Sequence, residues 1–75
     1  MITLPKNSRE VIRISVDKYA GKDIINIRVF YDPGTGEYRP TRKGLAIRVE
    51  MLDDLIDALN KIREEIEIND GEDEE

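Results

Sequence analysis

The sequence predicts an α+β fold: a four-stranded antiparallel sheet followed by one C-terminal helix, in the order β-β-β-β-α, in a chain expected to self-associate. Two periodicities carry the fold class. Apolar residues alternate with polar ones through the first half, and after Glu50 they recur at helical spacing. Self-association is the expectation that follows from size. A 75-residue chain buries a small share of its unfolded surface, and with neither Cys nor His it can build no disulfide or zinc staple.

Residues 1–8 are expected to form an N-terminal arm, residues 9–68 the domain, and residues 69–75 a disordered acidic tail. In Arg9–Val16, Ile12, Ile14 and Val16 share one face of a strand, opposite Arg9, Val11, Arg13 and Ser15. A short connection, Lys18-Tyr19-Ala20-Gly21-Lys22, leads into a second strand, Lys22–Tyr31, which places Ile25, Ile27 and Val29 opposite Lys22, Ile24, Asn26, Arg28 and Phe30. Asp32-Pro33-Gly34-Thr35-Gly36 is the strongest turn signal, because Pro presets φ, Gly permits positive φ, and Asp bonds its own backbone. Glu37–Thr41 reads as a third strand, and its Pro40 places it at an edge or a bulge. Leu45–Val49 reads as the fourth.

From Glu50 onward Leu52, Leu55, Ile56, Leu59, Ile62 and Ile66 form one stripe of a helix of about 17 residues. Glu50, Asp53 and Asp54 suit its positive N-terminal end, although no residue stands out as an N-cap. This stripe is expected to close a core of Ile12, Ile14, Val16, Ile25, Ile27, Val29, Leu45 and Ile47.

Several function classes fall away. Without His or Cys the commonest general base, the best nucleophile and the usual transition-metal ligands are missing, so no enzyme and no cofactor are expected. The Asp32–Glu37 segment lacks the 12-residue pattern of a calcium loop, and no helix follows Gly34 and Gly36 to make a phosphate-binding loop. The N-terminus has no signal-peptide core and no apolar run approaches a membrane span, so a soluble cytoplasmic protein is expected.

Charge is divided along the chain. Residues 1–49 hold ten Lys and Arg against five acids, net +5, and residues 50–75 hold two against twelve, net −10. Alternation directs Arg9, Arg13, Lys22, Asn26, Arg28 and Arg48 to the face that the helix does not cover. All four aromatics (Tyr19, Phe30, Tyr31 and Tyr38) lie in the same basic half. Cations that track phosphates, interleaved with rings that stack on unpaired bases, are what single-stranded nucleic acid requires. Two plainer readings stand beside this one: a solvated strand face whose cations discourage aggregation, and rings that serve as cross-strand partners. A protein-interaction module, using the acidic helix and tail to engage a basic partner such as a transcription or replication protein, is the alternative function.

The stretch Ile14-Ser15-Val16-Asp17-Lys18-Tyr19-Ala20-Gly21-Lys22, then Ile25-Asn26-Ile27-Arg28, then Tyr38-Arg39-Pro40-Thr41-Arg42-Lys43-Gly44-Leu45, resembles the positive-cofactor-four family of transcriptional coactivators over about residues 9–66. The resemblance implies a curved sheet, a homodimer made through Leu52, Leu55, Ile56, Leu59 and Ile62, and largely sequence-independent binding of single-stranded DNA, with RNA as the second candidate ligand. It implies that Tyr19 stacks on a base, that Lys22, Arg28 and Lys43 meet the backbone, and that Tyr31 and Arg42 are a second ring and a further phosphate contact. Arg13, Phe30 and Arg39 complete the candidate site. Asp17 stands where better-known members carry a cation, and Tyr31 where they carry a tryptophan. The chain resembles the short prokaryotic or phage members, without a Ser-rich regulatory arm.

Overall fold

The computed structural model describes residues 1–73, with side-chain surroundings through Ile68. Strands β1 (Ile2–Pro5), β2 (Glu10–Tyr19), β3 (Lys22–Tyr31) and β4 (Arg39–Arg48) form one antiparallel sheet in sequence order. A 3-10 turn, Val49–Met51, leads into helix α1, Leu52–Asp73. The fold class matches the expectation, but the four strands are allotted differently.

The expected N-terminal arm supplies β1. Asn7 makes this hairpin: its side-chain oxygen accepts the backbone N–H groups of Arg9 and Glu10 at 3.0 and 2.9 Å, reversing the chain in place of a glycine turn. At the next hairpin Tyr19 pairs with Lys22 across two residues, Ala20 and Gly21, with φ of 53° and 78°. Positive φ at both positions is what the right-handed twist of the strands asks of a two-residue loop. The expected third and fourth strands are one strand, β4, with a bulge in its middle. Gly44 pairs with Arg28 and Pro40 with Phe30, so Thr41, Arg42 and Lys43 face the single residue Val29.

Side chains satisfy the bulge. The Thr41 hydroxyl donates to the Val29 carbonyl at 2.8 Å and accepts the Lys43 N–H at 3.1 Å, while Arg28 Nη1 donates to the Thr41 carbonyl at 3.1 Å. Gly44 is required by close approach, since a Cβ there would overlap the Ile27 carbonyl oxygen and stand 2.8 Å from Arg28 Cα.

Register divides the sheet into two chemically distinct faces. Ile2, Ile14, Ile27 and Leu45 form a cross-strand row, flanked by Leu4, Ile12 and Val29 on one side and Val16, Ile25 and Ile47 on the other. These are the expected core residues, extended by β1. The helix does not close this core. Among the described residues only Ile25 is a buried apolar side chain, Val16 is 68% exposed, and Leu59 on the helix stripe is 59% exposed. At the start of α1, Leu52 shares a 250 Å3 hollow with Ile2, Ile14, Val16 and Ile25. The helix exceeds its expected length and includes residues 69–73 of the expected tail; residues 74–75 lie outside the described residues.

Candidate nucleic-acid interface

The opposite face is built from the alternate residues of the same strands. Its central row is Thr3, Arg13, Arg28 and Gly44, with Pro5, Val11, Phe30 and Pro40 on one side and Ser15, Asn26 and Ala46 on the other. Asp17, Ile24 and Arg48 follow, and Tyr19 with Lys22 ends the sheet.

Arg13 and Arg28 are directly opposite each other, an arrangement of like charges that opposes folding unless something else favours it. Each is held in place. The Arg13 guanidinium lies 4.6 Å from the centre of the Phe30 ring and 5.5 Å from that of Tyr38. Its Nε is buried without a hydrogen-bond partner among the described residues. Arg28 donates from Nε to Asn26 Oδ1 at 3.3 Å, besides its bond to Thr41. Neither arginine forms an ion pair with a described acid. Together they line a groove of about 590 Å3 with Met1, Ser15, Asp17, Asn26 and Phe30.

Tyr19, 72% exposed, presents its ring beside Lys22 at the sheet's end. A second hollow of 430 Å3, lined by Lys22, Arg48 and Glu50, opens there. Arg13, Tyr19, Lys22, Arg28 and Phe30 thus share one face, although Phe30 is half-buried and forms a wall for Arg13 rather than an open platform.

The other candidates stand elsewhere. Tyr31 pairs with Glu10 and Arg39, which places all three on the apolar side of the sheet at its far end. Lys43, in the bulge, directs its ammonium to 3.9 Å from Glu10 Oε2, while Arg42 is exposed. Glu10 also accepts hydrogen bonds from Asn7 at 2.7 Å and Lys6 at 3.0 Å. These two bonds, with the nearby charges of Lys6 and Lys43, hold its carboxyl below the usual range. Asp32 is lowered likewise, first by the Gly34 N–H and then by those of Gly36 and Thr35, all bonded to Oδ1.

Ser15, Asn26 and Arg48, which alternation already directs to this face, and Asp17, which register adds to it, stand outside the candidate binding residues. Alternation was the available signal. The chemistry of this face is that of an anion-binding groove with one open ring.

The model of the family described as Transcriptional Coactivator p15 (PC4) matches residues 6–58, which span β2 through the first turns of α1. The chain belongs to the PC4 family. It is similar to the PC4 homologue BPSL1147 from Burkholderia pseudomallei K96243, at 30% identity and a TM-score of 0.78 in the tetragonal crystal form, covering 84% of this chain and 93% of that one. The orthorhombic form of the same homologue gives a TM-score of 0.79 over 84% of this chain and 85% of that one. The bacteriophage T5 homologue of PC4, implicated in recombination-dependent DNA replication, is 26% identical at a TM-score of 0.73, covering 89% of this chain and 78% of that one. Among curated proteins none matches the chain.

Proposed function

We propose that this PC4-family chain is a non-enzymatic, cytoplasmic homodimer that binds single-stranded DNA largely without regard to sequence, in transcription or in DNA repair and replication. One observation carries the reading: Arg13 and Arg28 face each other in an open groove without an ion-pair partner among the described residues, and an exposed tyrosine stands at the groove's end. A phosphate backbone relieves the repulsion between the guanidiniums, and Tyr19 offers an unpaired base a stacking surface. Lys22, Arg42 and Lys43 supply further phosphate contacts. The stripe of half-buried Leu52 and Leu55 and exposed Ile56, Leu59 and Ile62 joins the two protomers and covers the apolar side of the sheet. That the bacteriophage T5 homologue is implicated in recombination-dependent DNA replication favours replication or recombination as the process served.

The test is a polarisation titration of labelled single-stranded DNA, RNA and duplex at several salt concentrations, with a mass measurement in solution. If about four to six phosphates are contacted, log K should fall against log[salt] with a slope of roughly −3 to −4 on a single strand. A flat salt response, or preference for duplex, overturns the reading.

The exposed carboxylates Asp53, Asp54 and Asp57 on α1 favour a second reading, in which the helix and tail engage a basic protein partner. Removal of residues 69–75 separates the two. Single-strand binding should persist or tighten, whereas loss of a protein partner with DNA binding intact supports the second.

A further inference from the structure

One carboxylate lies inside the cationic groove, where a purely phosphate-binding surface has no use for it. Asp17 is exposed on the Arg13–Arg28 face, and its Oδ2 accepts hydrogen bonds from Ser15 Oγ at 3.1 Å and Asn26 Nδ2 at 3.2 Å. Asn26 in turn accepts from Arg28 Nε, so a continuous chain of bonds fixes the carboxylate relative to the arginine. Asp17 lines the 590 Å3 groove, and its Oδ1 has no hydrogen-bond partner among the described residues. The Ser15 hydroxyl, having donated its proton to Asp17, retains acceptor lone pairs alongside.

An ionised carboxylate accepts and cannot donate, and it repels phosphate. A strand held by Arg13 and Arg28 must therefore pass Asp17 with a base edge rather than a phosphate turned towards it. The Asp17 carboxylate and the Ser15 hydroxyl bonded to it are neighbouring acceptor groups and call for a base edge with two neighbouring donors. Guanine offers that on its Watson–Crick edge, through N1–H and the N2 amino group. Cytosine and adenine offer one donor beside an acceptor, and thymine one donor between two acceptors. Unpaired bases present these edges freely.

We infer that Asp17, positioned by Ser15 and Asn26, is a base-reading residue that gives the groove a preference for unpaired guanine. This rests on the single-strand reading above and adds a local bias to sequence-independent phosphate binding. The direction of charge matters. Asp17 lowers affinity for strands without guanine and recovers it where guanine is present.

The experiment uses the full chain and labelled oligo-dT carrying isolated dG bases, too dispersed to form quadruplexes, against the same strand carrying inosine or adenine at those positions. Inosine keeps N1–H and lacks the N2 amino group. The wild-type protein should bind the dG strand about fivefold or more tightly than the adenine strand, with inosine between. Asp17→Asn, which keeps the shape of an exposed side chain, should bind plain oligo-dT more tightly than wild type and lose the dG preference. Ser15→Ala should weaken the preference without tightening oligo-dT binding to the same degree. Equal wild-type affinity for the dG and adenine strands overturns the inference while leaving single-strand binding intact. Retention of the preference in Asp17→Asn overturns it too. Failure to bind any of the strands overturns the single-strand reading with it.

Discussion

The two faces of the sheet are made from alternate residues of the same strands, yet they meet their chemical demands in different ways. On one face Arg13, Arg28, Asn26 and Asp17 are organised within a single protomer, each with a hydrogen-bond or ring partner. On the other, Val16 and Leu45 remain 68% and 50% exposed, and Ile56, Leu59 and Ile62 of the helix stripe are exposed too. Polar groups close their interactions over a few ångströms, so one chain can complete the cationic face. Apolar surface needs area, and a single four-stranded sheet with an outlying helix does not supply it. The cationic face is thus organised within one chain, and the apolar face is the one left open.

Gly44 is where both faces fail together. Gly44→Ala drives a Cβ against Ile27 and Arg28 at the bulge, and the backbone pairing of β3 and β4 must open. A loss of about 3 kcal/mol is expected, read as a lower urea midpoint. An unchanged midpoint would show that the bulge relaxes freely.

Leu59→Asp attacks the apolar side alone. The expected result is a protomer mass in solution, with apparent stability lower by about 1.5–3 kcal/mol for each stripe side chain withdrawn from an interface. If the stripe is merely solvated, mass and melting temperature will both stay where they are.

Tyr19→Ala attacks the other side. Because Tyr19 is 72% exposed, melting temperature should hold while single-strand affinity falls by about 1–3 kcal/mol. Arg28→Ala should flatten the salt slope by roughly 0.7. Arg39→Ala and Tyr31→Ala, on the apolar side, should produce less than half the effects of Arg28→Ala and Tyr19→Ala. Equal effects would mean that the strand wraps the sheet's far end and that the faces are not functionally separate.

Most of this division is legible in the sequence, because period-2 alternation translates directly into faces. Ile12, Ile14, Ile25 and Ile27 fall where alternation puts them, as do Arg13, Lys22, Arg28 and Phe30. Alternation also separates Phe30 from Tyr31, so naming both as site rings asked one strand to point neighbouring side chains the same way. The strand boundaries were less legible for local reasons. Pro40 and Gly44 look like breaks, yet Thr41 bridges between them with its hydroxyl and carbonyl and keeps β4 continuous. Strand β1 is only four residues long and is turned by Asn7, so it carries neither a long alternation nor a glycine signal. The helix was legible from its stripe, but what covers the stripe depends on assembly.

The smallest expected effect concerns acid, and it tests whether the loop that frames the cationic face is held by charge. Asp32 Oδ1 accepts three backbone N–H groups between 2.8 and 3.1 Å, and these bonds are strongest when the carboxyl is ionised. The folded state therefore holds Asp32 below its ordinary value of 3.8. Between the folded and ordinary values the unfolded chain binds more protons, so stability rises with pH through that window and levels off above it. Glu10 acts in the same direction, lowered from 4.5 by Asn7 and Lys6. On acidification the contribution is lost as pH falls from the ordinary carboxylate range through the folded values. Urea midpoints taken from neutral to acid pH should fall less steeply in Asp32→Asn than in wild type, because the amide oxygen accepts the same N–H groups without titrating. Parallel pH profiles for the two would show that the loop does not depend on the charge of Asp32.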